Sequence, residues 1–151
     1  MSDSPSLFRR PATLEWLEQI HKDTAVERMG IEFTQVGPDR LVARMPVDAR
    51  TKQPMGILHG GVSVVLAETL GSCAASLTLP PDRYAVGLDI NANHIRAVKS
   101  GWVTGTCTPI HVGRSTQVWA IEIRDEAGKL TCTSRITMAV LESDVPGRST
   151  G

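Results

Sequence analysis

Glu68 is the only full charge between residues 60 and 77, a stretch otherwise made of apolar and small side chains. A carboxylate in such company is costly unless it is paired, hydrogen-bonded or in use, so it is a candidate general base or nucleophile. Just before it runs Gln53-Pro54-Met55-Gly56-Ile57-Leu58-His59-Gly60-Gly61. The paired glycines leave the first N–H groups of a helix uncovered by side chains, at the positive end of its dipole. Such an end suits an oxygen that gains negative charge as a carbonyl is attacked. His59 adds a titratable group beside it. The chemistry these residues imply is addition to a carbonyl, polarised at Gly60 and driven from Glu68.

Gly60 and Glu68 lie eight residues apart, which is roughly 12 Å along a helix. A reacting carbonyl needs both groups within about 3.5 Å, so one helix cannot serve it from both positions. Two copies packed antiparallel about a twofold can, and they form two equal sites. The sequence therefore predicts a homodimer with shared active sites.

The supporting elements can be read from periodicity. Residues 60–77 lack proline and are apolar on nearly every face, which predicts a helix wrapped by protein all round, with Glu68 buried. Thr13 is a plausible N-cap for a short amphipathic helix carrying Leu14, Leu17, Ile20 and His21. Alternation predicts a hairpin around Gly37-Pro38-Asp39, then a long strand from Tyr84 to His94, then strands over 102–110, 116–124 and 130–141. In the long strand, Tyr84, Val86, Leu88, Ile90, Ala92 and His94 are expected on one face. The order is two strands, one helix and four strands, an α+β fold with an antiparallel β-sheet wrapped around one long central α-helix. Residues 1–12 and 142–151 are expected to be flexible, flanking a single domain over 13–141.

Composition narrows the functional classes. With 151 residues, 16 basic and 16 acidic side chains and no Lys/Arg stripe, nothing favours nucleic acid or an anionic membrane surface. The three cysteines, Cys73, Cys107 and Cys132, lack metal-ligand spacing and read as reduced thiols in a cytoplasmic protein, with Cys73 as core filler. Arg9-Arg10 is followed by Pro11-Ala12-Thr13-Leu14-Glu15-Trp16 and not by an apolar run, so no export signal is read there. The apolar helix is expected to be a core element and not a membrane span.

From about Gly30 to Leu141 the chain resembles the hotdog-fold acyl-CoA thioesterases of the phenylacetate-degradation and hydroxybenzoyl-CoA group. The residues that carry the likeness are Thr51 to Gly61, the helix segment Ala67-Glu68-Thr69-Leu70-Gly71-Ser72, and Gly87-Leu88-Asp89-Ile90-Asn91-Ala92-Asn93-His94. The resemblance implies hydrolysis of an acyl-CoA thioester, with Glu68 as nucleophile or base, the Gly60 N–H polarising the carbonyl and Gln53 positioning water or the acyl group. It places His59 and Ser72 in the same site, and implies protomer-shared sites, tetramers built from dimers, and no metal or separate cofactor. It tilts the acyl group toward a hydroxyaromatic one, with a medium-chain fatty acyl group or a carrier-protein thioester as the alternatives, lodged among Val65, Thr69 and Leu58 with His94 shaping the pocket. Arg96, Lys99, Arg114 and Ser115 are the groups at strand ends expected to meet coenzyme A.

Blander roles compete. Glu68 could pair with Arg44 or Arg135, His59 could cap its helix, His94 could be a satisfied core histidine, and Ser72 could bond back into its own helix. Trp16, Trp102 and Trp119 read as packing. The rival activities are a hotdog hydroxyacyl-thioester dehydratase and a non-catalytic acyl-CoA sensor. The first usually carries His-Phe-Pro where this chain has His59-Gly60-Gly61, and the second normally needs an attached effector module.

Overall fold

The computed structural model describes residues 5–143. In chain order the elements are α1 (Leu14–Ile20), α2 (Ala25–Arg28), β1 (Glu32–Val36), β2 (Leu41–Pro46), α3 (Gly60–Thr78), β3 (Arg83–His94), β4 (Trp102–Val112), β5 (Thr116–Asp125) and β6 (Leu130–Glu142). The strands form one antiparallel sheet in the order β1-β2-β4-β5-β6-β3. α3 packs against one face of it, which is the expected hotdog arrangement. The short turn of helix at α2 was not foreseen, because four residues carry too little period to read.

Close contact between α3 and the sheet depends on small residues. Leu66, Ala67, Leu70, Ala74 and Ala75 are fully buried against Val103, Cys107, Ile121, Ile123 and Ile136. A Cβ at Gly71 would overlap Ile136, and one at Gly105 would come within 2.8 Å of Leu70 Cδ1. A buried polar chain fixes the last turn of α3 to β5. Trp119 Nε1 donates to Gln117 Oε1 at 2.9 Å, Gln117 Nε2 to Thr78 Oγ1 at 2.9 Å, and Thr78 Oγ1 to Ala75 O at 2.7 Å. Each buried polar group is thereby satisfied, which avoids the cost of leaving one unpaired.

Two expectations are corrected here. α3 is long and apolar enough to span a membrane by length and composition, yet only half of that window is buried in the protomer. Gly61, Val62, Val64, Val65, Glu68, Thr69 and Ser72 lie along a partly or fully exposed side, so the helix is not wrapped all round and Glu68 is exposed. In β3 the alternation also fails. A bulge between Gly87 and Asp89 leaves Leu88 without a partner, so Tyr84, Val86 and Leu88 are exposed while Ile90 and Ala92 pack toward the core. The extra residue at a bulge shifts the two-residue period by one, so the apolar row changes faces there.

Part of the N-terminal segment expected to be flexible is tied down. Leu7 N–H donates to Pro38 O, Arg9 and Arg10 N–H to Leu77 O, and Phe8 stacks on Trp119 at 6.4 Å. The Arg10 guanidinium donates to Leu79 O, Pro80 O and Arg83 O. At the other end β6 extends through Glu142 and Ser143 N–H donates to Asp82 O, while the rest of the tail expected to be flexible, 144–151, lies outside the described residues.

Candidate functional site

The loop leading into α3 is held closed from both sides. Thr51 is fully buried, its hydroxyl donates to Pro46 O at 2.8 Å, and its carbonyl accepts from His59 N–H at 2.8 Å. Arg50 grips Asp48 and holds that carboxyl below its ordinary range, through hydrogen bonds to its side chain. Gly56, at φ +79°, permits the turn in which Gln53 O accepts from Gly56 N–H and Gln53 N–H donates to Ile57 O. The Gln53 side-chain oxygen accepts from Met55 N–H, leaving its amide NH2 free to turn outward.

His59 is the N-cap of α3. Its Nδ1 accepts from Gly61 N–H at 2.9 Å and its carbonyl accepts from Val62 and Ser63 N–H. The capping role weighed for this residue is therefore what it performs in the protomer. No acceptor among the described residues reaches the Gly60 N–H. Across from it stands His94, whose Nε2 would lie 2.8 Å from a Cβ at position 60. Gln53, Leu58, Gly60, Ser63, His94 and Arg96 line a cleft of about 270 Å³ at this end of the helix.

A second group assembles two turns further along. Val65, Glu68, Thr69, Ser72 and Cys73 face His21 and Val26 across a groove of about 360 Å³. Glu68 Oε1 lies over β3, 3.5 Å from where a Cβ at Gly87 would stand. Among the described residues it has no ion-pair partner, and Arg44 is engaged with Glu32 at 2.7 Å, so the structural pairing considered for Glu68 does not form. Neither hollow contains both Gly60 and Glu68, in keeping with the helical distance.

His21, Val26 and Cys73 were not read as site residues. His21 lay at the end of a helical period, and Cys73 looked like filler. Burial pushes the Cys73 thiol up to about 12, so it stays protonated and is a poor nucleophile.

The four groups expected at coenzyme A do not gather in one chain. Arg96 borders the cleft beside Gly60, and Lys99 lies exposed in the same loop. Arg114 and Ser115 sit at the opposite end of the sheet, where Arg83 Nη1 donates to Arg114 O and Val140 N–H to Ser115 O. The strand from Val86 to His94 separates the two pairs by about 26 Å. A larger cleft of about 420 Å³ is rimmed by Glu15, Glu18, Glu27 and Glu32, a charge pattern that repels a polyanionic ester.

Fold and site together define a class, and comparison agrees. The profile of the thioesterase superfamily matches residues 55–132, and the chain belongs to that superfamily. The 1,4-dihydroxy-2-naphthoyl-CoA hydrolase of Escherichia coli is 50% identical over 135 residues, covering 89% of this chain and 99% of that one. The proofreading thioesterase EntH of Cronobacter turicensis is 51% identical over 135 residues, covering 89% and 98%. The crystal structure of thioesterase HI1161 from Haemophilus influenzae superposes with a TM-score of 0.90 at 53% identity, covering 92% of this chain and 97% of that one. The protein is thus an enzyme, a thioester hydrolase of the hotdog fold.

Proposed function

We propose that the protein hydrolyses an aromatic, hydroxyl-bearing acyl-CoA thioester at two equivalent sites, each built from the α3 N-terminus of one protomer and Glu68 of the other. The observation that carries this reading is the division of the site into two hollows on a single rigid helix. The likeness to the E. coli naphthoyl-CoA hydrolase supports the choice of ester.

Edge strand β3 supplies a way to join the halves. Among the described residues it is unpaired on one side, and Tyr84, Val86 and Leu88 lie exposed along it. Gly60 sits beside His94, and Glu68 over Gly87, seven residues back along the same strand. A twofold at Asn91 pairs Ile90 with the partner's Ala92 and sets His94 opposite the partner's Gly87 bulge. That pairing brings the partner's Glu68 toward Gly60. It also carries the partner's Arg114 toward Arg96, which reunites the cations that one chain keeps apart.

In this site the thioester oxygen rests on the Gly60 N–H, a bond that strengthens as the oxygen becomes anionic. The partner's Glu68 takes a proton from water, whose oxygen adds to the carbonyl carbon, or itself adds to give an anhydride that water then cleaves. In either route the carbon–sulfur bond breaks, and coenzyme A departs as thiolate and is then protonated. Gln53 positions the water or the acyl group through its free NH2. His59 fixes the helix start so that the Gly60 N–H stays open. Val65, Thr69 and Ser72 wall the acyl group.

Hybrid enzymes test the shared site. Glu68→Gln should lower kcat by about 10²–10⁴-fold, and Gln53→Ala should also be impaired, each followed by thiol release from acyl-CoA. When the two variants are co-expressed, half of the dimers are hybrids with one intact site of two, so about a quarter of wild-type activity should return. Hybrids that form but recover nothing would rule out a site made from two chains.

A further inference from the structure

We infer that His21 is a specificity-determining residue that accepts a hydrogen bond from a hydroxyl on the acyl group. This deepens, and rests on, the aromatic acyl-CoA reading above. His21 Nδ1 lies 2.7 Å from Leu17 O, an oxygen that can only accept, so Nδ1 carries the proton and donates. In the neutral ring Nε2 is then a lone-pair acceptor. The ring is held in place by its stack on Phe33, with centroids 5.1 Å apart and planes at 21°.

What faces Nε2 is weak. The Cys73 sulfur lies 3.6 Å away, and a thiol is a poor donor. Burial keeps that thiol protonated, so it neither charges nor ligates the imidazole strongly. The acceptor therefore stands at the wall of the groove with its capacity hardly used. A substrate hydroxyl, a much better donor, would displace the thiol contact.

The placement suits an aryl ester. Glu68 and Cys73 are five residues apart on α3, a rise of roughly 7.5 Å. A hydroxybenzoyl group with its carbonyl beside the carboxylate is of comparable length, so its ring hydroxyl comes to the level of Cys73 and His21. Val65 and Val26 present apolar flanks to a ring between those points. The side chain at position 21 thus separates hydroxylated from unsubstituted rings, while the reacting groups lie elsewhere.

The test compares kcat/KM for 2-, 3- and 4-hydroxybenzoyl-CoA with that for benzoyl-CoA, followed by thiol release. Wild type should favour at least one hydroxylated ester. His21→Phe keeps an aromatic face for Phe33 but removes the acceptor, and should cut that preference ratio about tenfold. His21→Gln, which keeps an acceptor, should restore part of it. Cys73→Ser places a stronger donor against Nε2 and should lower the ratio by an independent route, so the inference stays testable if His21→Phe does not fold. Ratios equal to wild type in the folded variants, or no preference in wild type, overturn the role of His21 alone. A wild type that releases thiol from none of the four esters overturns the aryl-CoA reading with it.

Discussion

A methyl group at Gly60 would lie 2.8 Å from His94 Nε2, so either the imidazole or the start of α3 must move. In the proposed mechanism both border the carbonyl. Gly60→Ala is therefore expected to lower kcat/KM by about 100-fold, the scale of losing one oxyanion donor, with a melting temperature within a few degrees of wild type. Full activity in that variant, measured by thiol release, would remove the helix N-terminus from the mechanism. At this scale the sequence was informative where chemistry depends on residue type. The lone carboxylate of an apolar helix and the paired glycines stand out in it. The exposure of Glu68 was hidden, because the residues around it look apolar whether they face their own sheet or a second copy. His21 was hidden for another reason: its contact with Leu17 is local to α1, but Cys73 and Phe33, which frame its ring, lie far away in sequence and meet it only in the folded chain.

Among the elements, α3 is the one whose fit to the sheet is tightest. A Cβ at Gly71 would overlap Ile136, and both sit in regular structure with little room to yield. Gly71→Ala should therefore destabilise the fold by about 1–3 kcal/mol despite the better helix propensity of alanine, as read from urea unfolding. A variant as stable as wild type would mean that the sheet gives way easily there. Most strands were legible, since half-buried antiparallel strands advertise themselves by alternation. β3 was legible in its limits and not in its facing. Leu88 continues the every-second-residue apolar row of Val86 and Ile90, so the row itself hides the skipped position, and only Gly87, a residue type that often marks a bulge, hints at it. Likewise, the four-residue α2 gave no period to count.

For the whole molecule, the long exposed edge of β3 is the feature that asks for a partner, since an unpaired edge with apolar side chains tends to recruit another strand. In the proposed dimer Asn91 meets its own copy, with Cα atoms about 4.5–5.5 Å apart. That spacing admits a disulfide, so Asn91→Cys should cross-link under mild oxidation into a species of twice the mass, far faster than a Ser100→Cys control. Equal rates, or a chain that sediments as a monomer, would dismiss this pairing and with it the route by which Arg114 reaches Arg96. The N-terminal arm has a consequence of a different kind. Phe8 covers one face of Trp119, and the Arg10 guanidinium gathers three carbonyl oxygens where the chain leaves α3. Anyone trimming the gene to begin at the first helix, as composition invites, would be pulling a stopper out of the core and letting solvent in on Trp119, its largest fully buried side chain.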